Sequence, residues 1–277
     1  MVKGDRAQLI LQSLAEAEAE NPDLKSYFVF HQMVLRLLNE TRAGMTGTLE
    51  LADQEALDAR VLQGSPLLSF NQLRIEPGPF ADLATLIAKA LADYEPELAG
   101  QPLPADAPGW VSLAESQFTE GQPGPEEPEE RDEKAVASLS QLTTDLALKP
   151  YLEWAAEQVL PHVNQQRWKR SYCPVCGGPP DLAILTEESG ARHLVCSRCN
   201  SQWLYQRLGC PFCHTSDHTK ISYYPSDDDV YRLYVCEECG RYLKTVDMRK
   251  ARHRILVEAE RITTVDLDLA ARQEGYH

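Results

Sequence analysis

The sequence predicts an α+β protein of more than one domain, with a mainly α-helical N-terminal domain followed by two tandem ribbon modules of short β-strands. Three observations predict it. All eight cysteines of the 277-residue chain fall between Cys173 and Cys239. The first 170 residues, free of cysteine, carry apolar side chains at helical three- and four-residue steps. From Tyr172 onward, Gly, Pro, Cys and short β-branched or aromatic runs replace that pattern. A chain longer than the common domain of about 100–150 residues accommodates this division. The boundaries read from composition are 1–170 for the helical domain, 171–208 for the first module, and 209–277 for the second with a C-terminal tail.

Within the helical domain, Leu24, Tyr27, Phe28, Met33, Val34, Leu37 and Leu38 make one apolar face, entered through Asn21-Pro22-Asp23 and ended near Gly44. Leu83, Leu86, Ile87, Ala90, Leu91 and Tyr94 repeat the pattern between Pro77-Gly-Pro79 and Pro96. Val136, Leu139, Leu142 and Leu146 form a third face. Pro150 suits the first turn of a further helix through Leu152, Ala156, Val159 and Leu160, with helical pattern continuing to about Trp168. Such stripes are the ordinary signature of a helical core. Between Glu120 and Lys134 lie seven acids, two bases and three prolines, a composition too polar to order itself. It reads as an exposed loop inserted in the helical domain.

The cysteines come as Cys173-Pro-Val-Cys176 with Cys196-Ser-Arg-Cys199, and Cys210-Pro-Phe-Cys213 with Cys236-Glu-Glu-Cys239; nineteen residues separate the first two pairs and twenty-two the second two. Each unit opens Cys-Pro-x-Cys, and each second pair follows Arg-x-x-Val, from Arg192 to Val195 and from Arg232 to Val235. These are two copies of one unit. His193-Leu-Val and Val230 to Val235 read as strands delivering the second pair, with turns at Pro179-Pro180, Gly190 and Ser226 to Asp229. Two cysteines separated by two residues wrap a cation, and two such turns complete a tetrahedron of sulfurs that suits zinc and also accepts iron. The predicted ligand sets are Cys173, Cys176, Cys196 and Cys199, then Cys210, Cys213, Cys236 and Cys239. A crossed arrangement, first pair with third and second with fourth, uses the same residues, but duplication favours self-sufficient halves. A redox dithiol is the competing chemistry, normally one such pair in a βαβ setting. His214 and His218 are spare candidate ligands. Arg192, Arg198, Arg207, Arg232 and Arg241 lie near enough in sequence to offset the thiolate charge. The aromatic residues Trp203, Tyr205, Phe212, Tyr223, Tyr224, Tyr231, Tyr234 and Tyr242 read as core packing, any exposed subset making a partner-binding face. Modules of roughly 40 residues are too small to be held by a core alone, so metal binding and folding are coupled.

Charge and absent motifs narrow the function classes. A formal charge of −15 repels a nucleic-acid backbone or an anionic membrane on average, and Arg249 to Arg254 is the only dense basic run. No stretch reaches the roughly 20 apolar residues that cross a bilayer, and the start is not that of a cleavable leader, so a cytoplasmic location is expected. No GxSxG, HExxH or Walker A pattern occurs, and a non-enzyme is expected.

Specific phrases carry a resemblance: Trp168-Lys-Arg-Ser-Tyr-Cys173-Pro-Val-Cys176-Gly-Gly-Pro179, Arg192-His-Leu-Val-Cys196, Trp203 to Arg207 before Cys210, Cys236-Glu-Glu-Cys239-Gly-Arg-Tyr242-Leu-Lys244, and Asp266 to Tyr276. Together the chain resembles the formate dehydrogenase accessory proteins of FdhE type, sharply over 168–277 and by size and helicity before that. The resemblance implies a helical domain with two rubredoxin-like or zinc-ribbon modules. It also implies a cytoplasmic accessory or assembly factor, a chaperone-like protein that binds the catalytic subunit of respiratory formate dehydrogenase during maturation. Apart from the resemblance, a homodimer is a further candidate assembly. Two metal ions are implied, iron by resemblance where spacing alone admits zinc. One departure is His214 where the first unit has Gly177, which alters the turn behind Cys213. The alternatives are a zinc-ribbon nucleic-acid-binding protein and a rubredoxin-like redox protein.

Overall fold

A computed structural model describes residues 3–122, 137–252 and 254–277. The acidic run from 123 to 134, Val136 and His253 of the basic run lie outside them. The chain divides into two compact units, 1–51 with 68–159, and 52–67 with 160–277.

The first unit is helical: α1 (Lys3–Glu20), α2 (Lys25–Gly44), α4 (Pro77–Tyr94), α5 (Ala107–Glu120) and α6 (Leu139–Val159). Helix α2 follows a 3-10 turn at Pro22–Leu24, and α4 starts on Pro77, whose fixed φ suits a first turn. At α5 the Asp106 carboxylate accepts the Gly109 N–H at 2.8 Å, satisfying one orphan donor of the helix start. Phe28, Phe80, Ile87, Leu148 and Leu152 are fully enclosed where α2, α4 and α6 meet. Met33 and Leu86, expected on apolar faces, are instead 39% and 52% exposed.

Helix α6 corrects the expectation that Pro150 opens a separate helix. One helix runs through it, with Pro150 inside. An interior proline forfeits a backbone hydrogen bond and costs about 3 kcal/mol. Burial holds the helix regardless, since Thr143, Ala147, Leu148, Leu152, Ala155 and Val159 are all enclosed, on more than one face of the helix. The helical pattern also stops short of Trp168: a 3-10 turn at Leu160–His162, around Pro161, ends it.

The second unit holds α3 (Gln54–Gln63), capped by the Asp53 carboxylate on the Ala56 N–H at 2.8 Å, and a single six-stranded sheet. Its strands are β1 (Pro180–Leu185), β2 (Arg192–Cys196), β3 (Gln202–Leu204), β4 (Ile221–Pro225), β5 (Tyr231–Cys236) and β6 (Tyr242–Asp247), in the order β3-β2-β1-β6-β5-β4. Each module is therefore a three-stranded antiparallel meander, and β1 joins β6 in parallel to make the two meanders one sheet. Pro180 belongs to β1 rather than to a turn, whereas Gly190, at φ 65°, turns the chain between β1 and β2 as expected.

The expected C-terminal tail is helical, as α7 (Val257–Thr263) and α8 (Val265–Gln273). Helix α8 lays Leu267 and Ala271 on Leu233, Val235 and Tyr242, while Val257 of α7 joins Leu182, Ile184, Val195 and Val246. Polar contacts also join the helices to the sheet: Lys244 reaches Asp268 at 2.7 Å, and the Tyr231 hydroxyl donates to Glu260 at 2.7 Å. Among the described residues, no helix is long and apolar enough to cross a membrane.

Candidate metal centres

Hairpin geometry brings the cysteine pairs together. Pro180 of β1 lies opposite Cys196 at the end of β2, so the turn ahead of β1 and the turn after β2 occupy the same end of the meander. Ile221 opposite Cys236 repeats this in the second module. The backbone bonds confirm the repeat: Thr186 N–H to Ala191 O matches Ser226 N–H to Tyr231 O. With Thr186 and Ser226 equivalent, the three extra residues of the second copy lie in the exposed link after Cys213, which includes the 3-10 turn His218–Lys220.

All four Cys-x-x-Cys turns share one construction. The N–H of each first cysteine donates to a carbonyl two residues beyond the second, Cys173 to Gly178, Cys196 to Ser201, Cys210 to Thr215 and Cys236 to Arg241, at 2.9–3.0 Å. Amides inside the turn support the sulfurs, Val175 on Cys173, Arg198 on Cys196 and Phe212 on Cys210, each at 3.4 Å. The residue after each second cysteine is left-handed: Gly177 at φ 76°, Asn200 at 57°, His214 at 62° and Gly240 at 70°. His214 therefore does not alter its turn. It adopts the glycine conformation at a cost, because the hydrogen-bonded turn overrides side-chain preference.

Two quartets result, Cys173/Cys176/Cys196/Cys199 and Cys210/Cys213/Cys236/Cys239, with the sulfurs of each within 4.8 Å of one another. The crossed arrangement is thereby excluded, and neither His214 nor His218 joins a quartet. None of the eight cysteines is in a disulfide. Neighbouring sulfurs stand 3.5–3.6 Å apart in the first quartet and 3.7 Å in the second. Thiolates about 2.3 Å from one ion at tetrahedral corners lie roughly 3.8 Å apart, so the donor type, number and spacing fit a metal ion.

Electrostatics agree. Burial pushes the Cys173 and Cys199 thiols well up and Cys239 up to about 11. Burial also raises Cys196, but hydrogen bonds from Cys173, Cys176 and Cys199 outweigh it and leave this thiol lowered. An ion-free quartet thus keeps protons that a dication would displace.

The arginines singled out by the repeat do different work. Arg192 is buried, donates to Gly209 O at 2.8 Å beside the second quartet, and lies over Tyr205. Arg232 pairs with buried Asp247 at 2.6 Å, shared with Arg249 of the basic run. Arg241 stacks 4.0 Å from the Phe212 ring centre, inside the second site's turn. Trp203 and Tyr205 pack inside as expected, and Tyr223 and Tyr224 form an exposed subset at 50% and 55%. Sequence reasoning missed Arg261, whose guanidinium bonds Asp181, Asn200 and Cys196 O and ties α7 to the first site. Its signal was the Val257, Ile262 and Leu267, Ala271 spacing of two amphipathic helices in the supposed tail.

Fold and site together define a class: a helical protein carrying two tandem rubredoxin-like ribbon modules whose quartets could each hold a metal ion. Residues 172–207 match the family model described as FdhE, central domain. An FdhE homolog of Aquifex aeolicus is 35% identical over 133 residues, 47% of this chain and 46% of that protein. One from Pseudomonas aeruginosa is 31% identical over 199 residues, 65% and 61% respectively. An FdhE of Escherichia coli is 28% identical over 226 residues, 70% and 71%. The crystal structure of the FdhE protein from Pseudomonas aeruginosa superposes with a TM-score of 0.58 at 24% identity, covering 100% of this chain and 92% of that one, a likeness of fold. The match spans about half of the Aquifex relative and three fifths of the Pseudomonas one. Each of these matches is to an FdhE protein, and the likeness in sequence is to part of each relative's length.

Proposed function

We propose that this protein is a non-catalytic, cytoplasmic accessory factor in the maturation of formate dehydrogenase, and that its metal-held C-terminal unit binds the enzyme's catalytic subunit. The observation that carries this is the pair of complete, separate sulfur quartets. Four protein ligands close a tetrahedral site and leave no position for substrate, so each ion serves shape rather than catalysis. Cys173, Cys176, Cys196 and Cys199 would hold one ion, and Cys210, Cys213, Cys236 and Cys239 the other. The matches to FdhE proteins and the chain's resemblance to the accessory proteins support the assignment to formate dehydrogenase.

The ions are iron in this proposal, with zinc as the alternative reading of the same ligands. Elemental analysis and an optical spectrum of anaerobically prepared protein test both: two irons per chain support it, whereas metal-free protein counts against it. Retrieval of the catalytic subunit in a pull-down tests the partner. Cys173→Ser with Cys176→Ser is expected to weaken that retrieval, and unchanged retrieval with the first quartet emptied would contradict a role for the metal-held unit.

A further inference from the structure

The two quartets are equal in ligand type but not in surroundings. All four cysteines of the first are buried, at 0, 0, 0 and 3% exposure, whereas Cys213 and Cys239 of the second are partly exposed. Each wall of the first site is fastened. Leu67 donates to Pro174 O at 2.9 Å, the Tyr172 hydroxyl to Gly64 O at 2.7 Å, and Arg261 to Cys196 O at 3.1 Å. The Trp168 and Trp203 ring N–H groups donate to Tyr172 O and Arg170 O, closing the chain ahead of Cys173. Gly178 brings the backbone so near that a Cβ would sit 3.0 Å from the Cys196 sulfur.

The second site has an open side. Behind Cys213 runs the longer link 214–220, exposed at all but one residue, in place of the short, mostly buried link behind Cys176. Glu237 and Glu238, between Cys236 and Cys239, are both exposed, whereas Ser197 and Arg198 at the equivalent positions are partly buried. Removing an ion from thiolates requires a chelator to reach a sulfur in succession or the site to open locally. Local opening costs least where few buried contacts hold the backbone. An acidic approach also raises the local cation concentration.

We propose that the two sites are functionally unequal: the first holds its ion permanently as part of the fold, and the second is an exchange site that loads and releases its ion through Cys213 and Cys239 while the chain stays folded. The proposal rests on the assignment of both quartets as metal sites.

The test uses the full chain loaded with zinc(II) to one ion per quartet and challenged with 4-(2-pyridylazo)resorcinol. Half the zinc leaves first, about tenfold or more faster than the rest, as local opening dictates. Stopping after that phase and labelling with N-ethylmaleimide places the label on Cys210, Cys213, Cys236 and Cys239. Cys213→Ser with Cys239→Ser abolishes the fast phase and keeps the slow one. Release in a single phase, label on Cys173 or Cys176, or a fast phase that survives in the double variant overturns the proposal. The label map on the unaltered chain decides the matter even where the variant misfolds. A chain that retains no zinc at all overturns the metal assignment itself, and this proposal with it.

Discussion

At the scale of single residues, the turns behind the cysteines are the most demanding positions. Each needs a left-handed residue, and the chain uses Gly177, Asn200, His214 and Gly240 there. For a residue with a Cβ that conformation costs about 1–2 kcal/mol, less for asparagine. His214→Gly is expected to stabilise the metal-loaded protein by about 1 kcal/mol, read as a raised thermal midpoint. No change would mean the turn is not under strain. Asp247 is the other sensitive position, fully buried between Arg232 and Arg249. The hydrogen bond from Arg249 holds its carboxyl below the ordinary 3.8 against the opposing effect of burial. A lowered carboxyl contributes stability that is full above the unfolded value and lost as pH falls through the folded one. Asp247→Asn leaves two arginines facing a neutral group and is expected to cost about 3 kcal/mol. The matching signature is a flattened acid-unfolding limb below the ordinary carboxyl range, measured by denaturant titration across pH.

Two of the helices were legible in the sequence through a single apolar face opposite a polar one. Helices α2 and α4 alternate enough for their limits to be read from Asn21-Pro22, Gly44, Pro77 and Pro96. Helix α6 was not, because enclosure on several sides erases the periodicity and leaves Pro150 looking like a start. Helices α7 and α8 were hidden for the opposite reason: they are short, and their apolar residues make sense only against the sheet. Arg261 fastens α7 to the first module through Asp181, Asn200 and Cys196 O. Arg261→Ala removes hydrogen bonds made by a charged donor and is expected to cost about 2 kcal/mol. Accelerated amide exchange over 257–263, with α6 unaffected, would locate the loss; uniform acceleration would contradict it.

For the molecule as a whole, the two units differ in what holds them. The helical unit has its own core around Phe28, Phe80 and Leu148. The sheet unit would be tied across its turns by the two quartets, each linking four sulfurs through one ion. Chelation is therefore expected to abolish the near-ultraviolet signal of Trp168 and Trp203 while most of the far-ultraviolet helical signal persists. Full retention of both would show that metal is dispensable. Metal affinity should also rise with pH, since Cys173, Cys199 and Cys239 hold protons when ion-free that binding must release. Competition titrations at about pH 6 and about pH 8 would measure the difference, with tighter binding at the higher pH.

The four Cys-x-x-Cys pairs, the twofold repeat and the helical character of the N-terminal region are local properties of the chain: Cys-x-x-Cys fits one kind of turn, and apolar periodicity belongs to one kind of element. Which quartets close, the joining of both modules through β1 and β6, and the unequal burial of the two sites depend on contacts between residues far apart in the chain. No spacing encodes those contacts, because burial belongs to a packed neighbourhood rather than to a segment.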